Sequence, residues 1–406
     1  MMGPMGLVRG WGSFSLLVLV LCACAHTAPS VHLQVAPKSG SAAPVVIDAT
    51  TVVADSPEDT LAREVSAIRG LPLLHGLHVL RLAQGEFLMR THGGPADEAT
   101  TATYVAFGFM HHDPNAPAPV LRHAAYLGVF DFATHELLIR NDLTETITRG
   151  ALVHEIGHAL QDQTFGMPRH AEGDDAALAI KSLYEGDATL TRDLYAANSI
   201  EQRAEDRVSD AIMIVRTNTR ESVAKALGVP DDATREPRFG ETISTYLDGM
   251  VFVASLWQKG GFDLVNSAYT RVPVSTEQIL HPDKYLANEL PIVVAAPNTP
   301  AGTTKLAEGT LGELRTRLLL ARCSKTPAVG GWGWGGDRFV VGLGTEGRLA
   351  LTWSTVWDTE GDATRFESAL RWVSARCWSS ERRDGWWIGQ RTTITRRGVR
   401  VEYTRS

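Results

Sequence analysis

The chain has 406 residues, of which 44% are hydrophobic and 21% charged, ordinary proportions for a folded globular protein. Its formal net charge is -7 and it carries no basic run, so nothing in it gives the electrostatic footprint of a nucleic-acid partner, and none is expected.

Residues 1–24 hold a lone Arg9, an apolar run from Phe14 to Leu21, and then Leu21-Cys22-Ala23-Cys24. Ala precedes Cys24 and Leu stands three before it, the pattern of a lipoprotein signal peptide whose cleavage leaves Cys24 as the lipidated N-terminus. The apolar run is shorter than the about 20 residues of an ordinary transmembrane helix. A plain signal peptide or an uncleaved anchor is the alternative. Asp does not follow Cys24, and the similarity to diderm lipoproteins points to the outer membrane, facing the periplasm or the cell surface. Residues 25–55 are rich in Ala, Pro, Ser and Thr and read as a flexible tether.

The folded part is expected to open at Ser56, an N-cap followed by Pro57 at the first helical position, with Asp59 in the first turn and Gly70 as the stop. Val79 to Met89 and Ala102 to Met110 read as strands or short helices, and His111-His112-Asp113 as a surface loop. Tyr126 to Arg140 alternates about Ala133-Thr134 as a hairpin does. Its position just before the next helix suits an edge strand that pairs with extended substrate, or an ordinary structural hairpin.

The stretch Ile147 to Gln163 organises the rest. His154, Glu155 and His158 spell H-E-x-x-H; on a helix the two imidazoles lie one turn apart on one face and can share a Zn²⁺, with Glu155 beside the open coordination position as general base. Asp142 and Glu145 resemble a capping box at the helix start. Gly150 and Gly157 each weaken a helix by about 1 kcal/mol relative to Ala, so packing must hold it. Gln161 and Thr164 stand where a metzincin needs Gly and His, which excludes that class.

Ala177 to Asn198 reads as a second helix with Glu185 in its middle among Leu183, Tyr184, Ala188 and Leu190, where a carboxylate needs a partner. Glu185 is the expected third ligand, giving a set of two histidines and one glutamate. Its rivals are Asp187 and the cluster His170, Glu172, Asp174 and Asp175. Asp187 is better placed to orient a ligand histidine, a role Asp162 could share or forgo by facing solvent.

HEIGHALQDQ at 154–163, YEGDA at 184–188, Tyr246 with Gly249 and Phe252, and STEQILHPDKY at 275–285 resemble a family of gluzincin-like bacterial metalloproteins. The resemblance spans about residues 125–290 by motif and implies a zinc peptidase of unassigned substrate. The expected fold is α+β: a mainly helical zincin-like metallopeptidase domain with a small edge sheet over residues 56–291, then a smaller α+β domain over 292–406.

Glu241 to Gly260 reads as a helix ended by Gly260-Gly261. Tyr246 on it is a candidate donor to the oxyanion formed in carbonyl attack, and His281 in an ILHP turn is the other candidate catalytic residue; a core tyrosine and a loop-pinning histidine leave the same trace. After a linker-like stretch from 292, the composition suggests a helix over Leu311 to Arg322, strands about Thr345-Glu346-Gly347, a helix over Asp362 to Val373, and a hairpin at Arg397-Gly398. Gly330 to Gly336 reads as a glycine-rich turn with its tryptophans packed on the sheet, or as a flap. Cys323 and Cys377 are expected to form a disulfide in an oxidising compartment.

The expected function is zinc-dependent hydrolysis of peptide or protein substrates in the cell envelope, by a membrane-tethered chain. The alternatives are a non-catalytic envelope lipoprotein that works as a binding or assembly factor, and a zinc hydrolase of a non-peptide bond. An intact Glu155 favours the enzymes, since a scaffold needs ligands but no base.

Overall fold

The computed structural model describes residues 56–91, 97–109, 126–166, 171, 173–217, 222, 237–321, 329–376, 386–389 and 391–406. The expected signal peptide with Cys24, the tether, and the pair Cys323 and Cys377 lie outside the described residues, as do His111, His112, His170 and Glu172. Among the described residues, no helix is long and apolar enough to cross a membrane.

Helix α1 (Pro57–Arg69) opens as its sequence predicts: the Ser56 side chain accepts from the Asp59 N–H, and the Asp59 carboxylate reaches back to the Ser56 N–H. Gly70 ends it in the left-handed region, at φ 73°. Strand β1 (His78–Leu82) and helices α2 (Gln84–Thr91) and α3 (Glu98–Ala106) follow. The expected hairpin forms from β2 (Gly128–Asp131) and β3 (Glu136–Arg140). With β1 parallel to β3, these make a three-stranded sheet in the order β1-β3-β2, so β2 is an edge.

Helix α4 (Glu145–Phe165) carries the H-E-x-x-H motif. Its start differs from expectation: Thr144 is the N-cap and makes no side-chain cap bond. Asp142 is instead held by Arg140, Nε to Oδ1 at 2.9 Å and Nη2 to Oδ2 at 2.7 Å, a forked pair that outcompetes a cap. Helices α5 (Asp174–Ser199) and α6 (Ala204–Thr217) follow, then α7 (Pro237–Thr270). The run of α7 is broken at Gly260 and Gly261, where Gly261 takes φ 61°, so the glycine pair does end the first segment as read.

Helix α5 packs against α7 through two glycines. A Cβ built on Gly186 would lie 2.2 Å from the Gly249 carbonyl oxygen, and one built on Gly249 would lie 2.2 Å from the Ser182 carbonyl oxygen. Only backbones without side chains reach that separation, and the crossing leaves the two helices sharing a core of Leu183, Leu190, Met250, Phe252 and Val253.

Short helices α8 (Thr276–Leu280) and α9 (Pro282–Leu286) lead to β4 (Thr304–Gly309), α10 (Gly312–Ala321), β5 (Trp334–Leu343), β6 (Arg348–Trp357), α11 (Glu360–Arg376), β7 (Trp387–Ile388), β8 (Thr392–Arg397) and β9 (Arg400–Arg405). The sheet order is β4-β5-β6-β9-β8, with β7 beside β6. The chain is thus α+β, with a small sheet beside the helices and a larger one at the C-terminal end.

The glycine-rich segment is structural. Buried Trp334 opens β5, and its indole N–H donates to Asp337 Oδ1 at 3.0 Å; Trp353 donates to Asp337 Oδ2 at 2.9 Å. Asp337 also accepts the N–H groups of Leu311 and Gly312, which fixes the start of α10. The core of this sheet is not confined to residues after 292. Phe107, at the end of α3, packs edge-on against Phe339 and Trp353 with ring centroids 5.3 and 5.2 Å apart. Helix α3 therefore belongs to the C-terminal core, although it precedes the hairpin in the chain.

Candidate metal centre

His154, Glu155 and His158 project from the middle of α4, and Glu185 from α5; all four are fully buried. His154 Nε2 lies 3.1 Å from His158 Nε2 and 3.3 Å from Glu185 Oε2, and His158 Nε2 lies 3.4 Å from the same oxygen. Four ligands at about 2.0–2.1 Å in a tetrahedron stand about 3.3 Å from one another. The observed triangle has that size. It is one of two clusters among the described residues whose donor atoms converge closely enough to hold a metal ion. The other, Glu277 with Glu289 and Asp358, surrounds the Lys284 ammonium, with N···O distances of 2.6, 2.8 and 2.7 Å.

Protonation favours ligation. Burial pushes the His154 imidazole down to about 4 against the pull of Glu185, so the ring is neutral near pH 7. Burial works against the Glu185 charge, but the neighbouring His154 and His158 rings prevail and hold its carboxyl well below the usual range. Two atoms of the cluster, His154 Nδ1 and Glu185 Oε1, have no hydrogen-bond partner among the described residues. A cluster of neutral imidazoles and a carboxylate with a spare buried oxygen fits a divalent cation.

The tautomer of His158 follows from its neighbour. Gln161 Nε2 donates to the Tyr184 carbonyl at 3.1 Å and to Asp187 Oδ2 at 3.2 Å, both acceptors, so its amide oxygen is the atom 2.9 Å from His158 Nδ1. His158 Nδ1 must therefore carry the proton, and its Nε2 presents a bare lone pair to the cluster.

Glu155 is held against the small sheet. The backbone N–H of Phe130 on β2 donates to its Oε2 at 2.7 Å. Gly128 leaves room for the side chain, since a Cβ there would sit 3.0 Å from Glu155 Cγ and 3.1 Å from Ile139 Cδ1. The edge strand thus lies beside the motif helix, as expected, and Phe132 beyond it sets its ring edge-on to His158 at 5.9 Å.

Tyr246 is buried, and its ring lies 5.8 Å from that of His154, so the structure brings this residue to the cluster. His281 is engaged elsewhere: its Nε2 is 3.1 Å from Glu313 Oε1 and 3.1 Å from Arg317 Nη2. It pins the turn before α9 to α10, the structural role, because α10 sets a buried glutamate against the ring. Asp162 is likewise not at the centre. It points out of α4 to the exposed His135, Nδ1 to Oδ2 at 2.6 Å, since the residue after Gln161 falls on another face of the helix. Asp187 reaches His158 through Gln161 and not by direct contact.

Sequence reasoning missed Gln161. The signal was present, because a residue three after His158 lies one turn on along the same face. It also missed Gly128 and the Phe130 N–H, for which a lone glycine at a strand start gives little warning.

Residues 301–406 match a domain of unknown function (DUF8575). That segment holds the C-terminal sheet and none of the cluster residues. No curated protein and no solved structure matches the chain.

Proposed function

We propose that the chain is a zinc-dependent hydrolase of peptide bonds, with a zincin-like arrangement in its helical part, exported and tethered to a membrane through Cys24. The observation that carries this reading is the triangle of His154 Nε2, His158 Nε2 and Glu185 Oε2, with Glu155 beside it.

In this reading His154, His158 and Glu185 hold the ion. When bound, Zn²⁺ supplies Lewis-acid polarisation of a carbonyl and makes water more acidic. Glu155 takes the proton of the attacking water on its carboxylate and passes it to the leaving amine. The Phe130 N–H donates to one oxygen of that carboxylate and fixes its orientation. Tyr246, beside His154, is the candidate hydroxyl donor to the developing oxyanion. Burial of the whole cluster lowers the local dielectric and strengthens these charge interactions. The intact base sets this reading above that of a binding lipoprotein.

The experiment is digestion of a mixture of unstructured peptides by the zinc-loaded chain, read by mass spectrometry. Cleavage that disappears in Glu155→Gln, with zinc retained, supports the proposal. Cleavage undiminished in that variant would remove Glu155 from the chemistry.

A further inference from the structure

Asp187 lies two residues after Glu185 and is fully buried, and three elements besides its own helix meet at its carboxylate. Arg69, in the last turn of α1, donates from Nε to Oδ1 at 2.7 Å and from Nη2 to Oδ2 at 2.9 Å. Tyr269, in the second segment of α7, donates its hydroxyl to Oδ2 at 2.6 Å. Gln161 of α4 donates its amide, as described above.

Arg69 is itself 1% exposed, an unusual place for a guanidinium at the end of a first helix. It is set in position by Asn266 Oδ1, 2.9 Å from Nη2, and by the face of Phe262, 4.3 Å from the guanidinium carbon. The tyrosine is braced too, with its ring stacked on Phe165 at 4.0 Å.

These contacts have a direction. The planar fork of Arg69 engages both oxygens of Asp187 and fixes the orientation of the buried carboxylate. Asp187 then accepts only donors from its other neighbours, so Gln161 must turn its NH₂ toward it. The amide oxygen is left for His158 Nδ1. Without a fixed acceptor at 187, only the Tyr184 carbonyl, 3.1 Å away, holds the Gln161 NH₂, and the amide flips more readily to offer N–H to the ring. His158 would answer by moving its proton to Nε2, which blocks the lone pair a metal needs.

From this chain of contacts we infer that Arg69 is a positioning residue of the metal centre: through Asp187 and Gln161 it sets the His158 tautomer, and it makes the first folded helix part of the site. The inference rests on the metal reading above for its purpose, although the tautomer itself can be measured without metal.

The test uses the full chain as wild type, Arg69→Met, Arg69→Lys and Gln161→Leu. The ¹⁵N–¹H spectrum of the histidine rings is recorded metal-free at about pH 8, above the ordinary imidazole pKa of about 6.5. Zinc affinity is measured by competition with a chelator. Wild type should show His158 protonated at Nδ1. Arg69→Met and Gln161→Leu should show a mixture of tautomers and bind zinc about 10–100-fold more weakly. Arg69→Lys, which keeps the charge but not the fork, should fall between. Gln161→Leu leaves the Arg69–Asp187 pair in place, so it and Arg69→Lys decide the matter if Arg69→Met does not fold. An unchanged tautomer and unchanged affinity in Gln161→Leu would overturn the relay, as would a wild-type ring protonated at Nε2. A wild type that binds no zinc would overturn the metal reading instead, and the tautomer comparison would still decide the relay.

Discussion

The general-base candidate Glu155 is tied to the edge strand by a 2.7 Å hydrogen bond from the Phe130 N–H, and its side chain lies over Gly128 on the same strand. The sheet therefore aims the carboxylate, while α4 supplies it.

The first prediction concerns Gly128. A methyl group there would stand 3.0 Å from Glu155 Cγ and 3.1 Å from Ile139 Cδ1, so these side chains must give by a few tenths of an ångström. Gly128→Ala should lower kcat, by less than the about 10²-fold that a misplacement of about 1 Å can cost, while leaving zinc content at the wild-type level. An unchanged kcat would mean that the strand does not position Glu155.

The second concerns the helix crossing that brings Glu185 to the histidines. Gly186→Ala puts a methyl 2.2 Å from the Gly249 carbonyl oxygen, a backbone atom that cannot turn aside. Overpacking of this kind costs about 1–3 kcal/mol or more. Denaturant unfolding should show at least that loss, and Gly249→Ala should behave alike against the Ser182 carbonyl. Wild-type stability in both would show that the helices can separate freely.

The third concerns the metal. Glu185→Ala removes the carboxylate that both imidazoles face. Its zinc affinity should fall further than the about 10–100-fold typical of losing an outer partner. A chelator-competition titration measures this. Unchanged affinity would exclude Glu185 as a ligand.

The fourth concerns pH. Asp175, buried at the start of α5, accepts from the Thr276 N–H at 3.0 Å and from its hydroxyl at 2.6 Å. Burial pushes its carboxyl up to about 7, against the pull of the Thr276 bonds and with Asp337 adding to the rise. In the unfolded chain the value is about 3.9. The folded state thus keeps a proton that the unfolded state gives up, so this group's contribution is complete below about 4 and is lost as pH rises through about 7. Asp175→Asn keeps an acceptor for Thr276 and cannot ionise. Tm of the variant relative to wild type should rise between about pH 5 and pH 8. A constant difference across that range would contradict the argument.

Much of the centre was legible because its spacing is local. His154, Glu155 and His158 fall on one helix turn, and Glu185 stands out as a carboxylate in an apolar stretch. The Ser56 cap and the Gly260-Gly261 break follow from residue chemistry alone. What escaped depends on contacts between distant segments. Arg69 and Asp187 are far apart in the chain, and nothing near either announces the other. Asp142 has the spacing of a cap, but Arg140, two residues before it, claims its carboxylate. His281 looked catalytic because the glutamate that claims it comes from α10. Helix α3 read as part of the first domain because its aromatic partners, Phe339 and Trp353, are supplied by the last sheet.

The central claim is that His154, His158 and Glu185 hold one zinc ion. Elemental analysis of the purified chain beside His154→Ala tests it most directly. The account predicts about one zinc per wild-type chain and little in the variant. A folded wild-type chain that takes up no zinc on resupply, or equal zinc in both proteins, would contradict it.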